Sequence, residues 1–201
     1  MFDKRLNEII AQIDRAHRAY YEAETFGGPS LHFHLRALDA SRERDFAGFA
    51  ESAYAMLASW GMHRMGPKGA KMCEFNRFEE SIDQAWPIIL DLQAVDVVDI
   101  KEEHWTKLEC IFSTLDVMQS GTSIVGKSKV MAHALPNLVA PVDRQYTLRL
   151  LYETTSLKND EALEWKKLRE LLQHFFRPQS IGMDRGSSVM FLCGISYTRK
   201  T

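Results

Sequence analysis

The chain has 201 residues, 45% of them hydrophobic and 26% charged, the balance of a soluble globular protein long enough to bury a real core. Its formal net charge of −2 excludes a global basic field, so any polyanion must meet a local patch. No apolar run reaches the length of a membrane span, and the opening MFDKRLNEIIAQ is too charged for a secretory signal.

In chain order, Phe2, Leu6, Ile9, Ile10, Ile13, Ala16 and Tyr20 fall on one stripe, which predicts a first helix. The segment LHFHLRALD follows, with His32, His34 and Asp39 as conceivable metal ligands. His-x-His suits one face of a strand, but no third ligand is well placed. The other reading makes these residues packing, or a pocket wall with Phe33, and no metal or cofactor is expected.

Phe46, Phe49, Ala50, Ala53, Leu57 and Trp60 predict a helix that ends at Gly61. The loop SWGMHRMGPKGAKM carries Arg64, Lys68 and Lys71 beside His63 with no acid. Its glycines would let it approach a nucleic-acid backbone closely, with Trp60 or Met65 as a wedge. It reads equally as an ordered connection with solvated charges and a core tryptophan. Phe78, Ile82, Ala85, Trp86, Ile89 and Leu90 predict another helix, bent or restarted at Pro87. AVDVVDI at 94–100 and SVMFLCGISY at 188–197 are strand candidates that could also be buried helix. Trp105, Leu108, Ile111, Phe112, Leu115 and Met118 form a clear helical stripe, as do Leu163, Leu168, Leu171, Leu172 and Phe175 before Pro178. The expected architecture is all-α, one helical domain over 1–201, divisible into two lobes with a cleft. Cys73, Cys110 and Cys193 lie far apart with no C-x-x-C, so reduced thiols in a cytoplasmic setting are expected.

Residues 121–128, GTSIVGKS, satisfy the G-x-x-x-x-G-K-[ST] pattern of a nucleotide-binding loop. That loop needs a strand leading in and a parallel sheet around it, whereas LECIFSTLDVMQS scans as helix. Gly126 and Lys127-Ser128-Lys129 nevertheless predict a basic helix start over 127–135, which is either an anion site or a solvated cap. The helix puts Lys129 and His133 on one face. After LPNLVAPV, Asp143 heads Arg144-Gln145-Tyr146-Thr147-Leu148 and fits an N-cap without further function.

The order of parts in this stretch, glycine hairpin, basic helix start, loop and apolar-Asp before a helix, resembles the helix-hairpin-helix DNA glycosylases over residues 121–151. There a hairpin with L-P-G-V-G-x-K-T-A precedes V-D-T-H at the head of the next helix. VGKSKV stands for the hairpin end and PVDRQYT for the Asp segment, with the motif near 105–150. The resemblance implies that the hairpin amides hold a DNA phosphate, and that Asp143 faces a flipped base and assists cleavage of its N-glycosidic bond. DNA contacts would come from Gly126, Lys127, Ser128, Lys129, Arg144, Arg64, Lys68 and Lys71. Trp60, His63, Phe33, Trp86 and Tyr146 would supply pocket or wedge. Thr122-Ser123-Ile124 replaces L-P-G, and the position of the family's Schiff-base lysine falls on Ser128, between two lysines. The chain also lacks the four cysteines of the iron–sulfur cluster found in some members. The expectation is a monofunctional enzyme on a damaged or modified base, in repair or in defence against modified phage DNA. A non-catalytic DNA- or partner-binding protein is the alternative, and a nucleotide-binding protein the weaker one.

Overall fold

The computed structural model describes residues 27–176, apart from 64, 67–68 and 120–122, together with positions 8, 12 and 15. The first predicted helix and the strand candidate at 188–197 lie outside the described residues. So do Arg64, Lys68, and the side chain of Tyr146.

The described chain is helical, as the periodicity predicts. Helix α1 (Gly28–Glu43) and helix α2 (Phe46–Ser59) form an antiparallel pair, joined by Arg44 in the left-handed conformation (φ 60) and Asp45. Asp45 starts α2 by accepting the Gly48 N–H at 3.1 Å. A two-residue antiparallel pair follows, β1 (Met65–Gly66) with β2 (Gly69–Ala70). Helix α3 (Phe75–Leu92) runs on through Pro87 without a restart, the proline lying on an exposed position. AVDVVDI is no strand: it holds a turn and a 3-10 segment at Val97–Asp99, where Asp96 accepts the Val98 N–H at 3.0 Å. Short polar side chains of this kind compete with a sheet ladder for the backbone.

Helix α4 (Glu102–Thr114) ends where Leu115 turns extended. Residues 115–119 then lie against 71–73, through a Met72–Met118 bridge and the bonds Cys73 N–H to Val117 O (3.1 Å) and Gln119 N–H to Lys71 O (2.8 Å). This contact sets the glycine-rich loop beside the entry to helix α5 (Ile124–Ala134), which begins earlier than the basic run suggests. A π turn at Arg144–Leu148 continues into α6 (Arg149–Tyr152), and α7 (Glu161–Phe176) closes the described chain. One hydrophobic cluster, with Phe49, Met56, Phe78, Ile89, Phe112, Met131 and Leu172 at its centre, runs through α1 to α7.

Gly126 serves packing. A Cβ built there would stand 2.8 Å from Val117 Cγ1 and 3.3 Å from Met118 Cγ, so the glycine lets α5 sit flat on the 115–118 segment. Gly126→Ala is expected to cost about 1–3 kcal/mol by overpacking, read as a lowered midpoint in urea with an unchanged slope. A midpoint equal to wild type would mean that this segment shifts freely.

Candidate functional site

The structure dismantles one half of the expected site and assembles the other. The dismantled half is the glycine-lysine run. Lys127 is buried, with Nζ 2.8 Å from Glu161 Oε2 and 4.8 Å from the Phe112 ring centre. Ser128 is fully buried; its hydroxyl donates to Val125 O (3.3 Å) and accepts the Val142 N–H (2.9 Å). The free amides at the start of α5 are also taken. Glu164 of α7, itself buried, accepts Ser123 N–H at 2.7 Å and Ile124 N–H at 2.6 Å with one carboxylate oxygen. The fold thus supplies its own anion where a phosphate was expected. Gly126, Lys127 and Ser128 are withdrawn as DNA or nucleotide contacts, because each is buried against protein.

The assembled half is built on Lys129, a few residues further along α5. Its side chain is only 13% exposed, and Nζ lies 4.0 Å from Asp143 Oδ2 and 5.2 Å from the Trp60 ring centre. Burial lowers the Lys129 pKa, while the Asp143 charge pulls the other way. Asp143 stands at the head of the π turn, where its Oδ1 accepts the Gln145 N–H at 2.8 Å and its own N–H donates to Thr147 Oγ1 at 3.1 Å. Ser128 holds the preceding residue, Val142, and so fixes the loop that presents Asp143. The carboxylate is 37% exposed, against the buried amine beside it. Insertions of π geometry are often found at functional positions.

Two histidines form the floor beneath this pair. His133, one turn after Lys129, has Nδ1 2.7 Å from Lys129 O, where it can only donate. Its Nε2 therefore accepts from His34 Nδ1, 2.8 Å away. Both rings pack on Trp60, His34 stacked at 5.9 Å and His133 edge-on at 5.6 Å between centres. Burial pushes His34 down to about 4. Burial, and then the neighbouring His34, push His133 down to about 3. Both are neutral imidazoles at neutral pH, so the site holds a desolvated amine, a carboxylate and an aromatic face over a neutral hydrogen-bonded floor.

The other expected residues are dispersed. The segment holding His32 and His34 is helical, which turns His32 outward against Phe33 (ring centres 5.2 Å) and His34 inward. The two imidazoles therefore do not share one face, as a strand would have placed them. Phe33 is half-buried on α1 and packs on the edge of the core. Trp86 is a core residue packed on Phe49. His63 and Lys71 are exposed and Arg144 is half-buried. No group of three or more potential metal ligands occurs among the described residues, and no described helix is long and apolar enough to cross a membrane. Comparison with protein-family models, with curated proteins and with solved structures finds no match to the chain.

Proposed function

We propose that the chain is a DNA glycosylase-like enzyme whose reactive pair is Asp143 with Lys129. The observation that carries this reading is the placement of a buried lysine amine 4.0 Å from a half-exposed carboxylate, on a tryptophan face. It is supported by the resemblance of residues 121–151, in which the family's lysine position falls on Ser128 and the neighbouring Lys129 is the lysine that meets Asp143.

A base must leave its stack before it can be cut, at a cost of a few kcal/mol. When the N-glycosidic bond breaks, its electron pair leaves with the base and positive charge grows on the sugar. Asp143 would stabilise that charge and accept the proton of an attacking water. Lys129, whose burial lowers its pKa against the pull of Asp143, is the competing nucleophile. The grip on the DNA backbone then falls to Arg144, the exposed Arg149 and the loop of Arg64, Lys68 and Lys71, since the α5 amides are occupied.

The test is release of free base, read by mass spectrometry, from DNAs carrying alkylated, oxidised, deaminated and phage-type modified bases. Asp143→Asn should lower release by about 100-fold or more while DNA binding persists. Borohydride treatment separates the two nucleophiles: a covalent adduct lost in Lys129→Gln means amine attack, and release without an adduct means water attack. Salt-sensitive DNA binding with no released base would replace the enzyme by a binding protein. The Gln145–Asp143 bond of 2.8 Å fits that outcome, since it makes Asp143 a cap.

A further inference from the structure

Away from Asp143, a cavity of about 360 Å³ opens where the C-terminal ends of α1, α3 and α5 meet. Its size falls within the range of small-molecule sites. Leu38, Leu92, Leu135 and Leu138, all buried, give it an apolar floor, and Arg42 and Arg44 stand on its wall.

The charge it prefers follows from what the helix ends have left over. Helix C-termini carry partial negative charge and would by themselves favour a cation. Here several of the carbonyls nearest the cavity are already used. Ala40 O takes Asp45 N–H at 2.9 Å, and Ser41 O takes Arg44 N–H at 3.1 Å and the Gln93 side-chain amide at 2.9 Å. Ala134 O takes the Ser41 hydroxyl at 3.0 Å, and Leu135 O takes Leu138 and Val139 N–H, each at 3.0 Å. Leu92 O takes Val95 N–H at 3.0 Å. No Asp or Glu among the described residues lines the cavity. Arg42 is tied to Asp39 at 3.0 Å, whereas Arg44 has no ion-pair partner among the described residues, its neighbour Asp45 being committed to the α2 cap. Arg44 also occupies a left-handed position (φ 60) that glycine fills at many helix ends and that strains a side-chain-bearing residue.

We propose that this cavity binds a small organic anion, its carboxylate on the Arg44 guanidinium and its aliphatic or aromatic body on the leucine floor. The inference does not depend on the chemistry assigned to Asp143. The probe is phenylbutyrate, titrated into the whole chain by calorimetry and followed at the amide shifts of Ser41, Gln93 and Leu138. Saturable binding is expected, with the neutral phenylbutyramide weaker by about tenfold or more. Arg44→Gly keeps the left-handed backbone and removes the whole side chain with its guanidinium, so it should weaken the acid by a similar factor and leave the amide, held on the leucine floor, unchanged. Ala94→Trp, placed on the cavity wall, should abolish both. Absence of saturation, equal affinity for acid and amide, or indifference to Arg44→Gly would each overturn the proposal.

Discussion

Glu164→Ala is expected to destabilise the chain by about 3–5 kcal/mol, a large part of the stability of a domain this size. The wild-type carboxylate joins two backbone amides of α5 at 2.7 and 2.6 Å. Without it, Ser123 and Ile124 lose their acceptor at a site that water reaches poorly, and each orphaned donor costs about 1–3 kcal/mol. Glu164→Gln should be far milder, at about 1–2 kcal/mol, because an amide oxygen can accept both bonds. The charge itself is no great asset there: burial raises the Glu164 pKa against the pull of the two amides, Lys127 and Arg144. Urea unfolding followed by circular dichroism measures both variants. An alanine variant within about 0.5 kcal/mol of wild type would mean that water replaces the carboxylate without penalty.

The second large effect is on pH. His34 and His133 titrate well below the ordinary histidine value, at about 4 and about 3 in the folded chain. The unfolded chain takes up protons near 6.5, so between there and the folded values it binds more protons than the native state. Stability is therefore full above pH 6.5, falls as pH drops below it, and levels off only beneath the folded values. At about 1.4 kcal/mol per unit, the His34 shift alone contributes about 3 kcal/mol of that loss, with the two rings titrating as a coupled pair. Thermal midpoints between pH 7 and pH 4 should trace the decline. In His133→Phe the slope should flatten even if the variant is less stable at pH 7. A slope unchanged in that variant would place the acid sensitivity elsewhere.

The long helices were legible because their buried faces repeat at helical spacing. The stripe from Phe46 to Trp60 is α2, and that from Leu163 to Phe175 is α7. Helix α1 was not, since LHFHLRALD mixes polar and apolar residues with only a weak stripe, and a lone His-x-His suits strand or helix. In the site, the joint placement of Lys129 and His133 on one face of α5 follows from their four-residue spacing. The step from His133 to His34 spans 99 residues and no local pattern announces it. Lys127 misled for a related reason. Two lysines flanking a serine look alike in sequence, and only the position of α7 decides which one is sealed against Glu161 and which meets Asp143.

The acceptor for the start of α5 has a consequence for synthesis as well as for stability. Glu164 lies 40 residues after Ile124, so while the chain is being made α5 emerges without the group that completes its first turn. At about 5–20 residues per second, that interval is on the order of 2–8 s. Through it the stretch from Ser123 to Lys127 offers unpaired amides and an unpaired ammonium to whatever surrounds the nascent chain. The basic helix start at 123–127 keeps its donors open on the nascent chain until α7 arrives with Glu161 and Glu164 to close them.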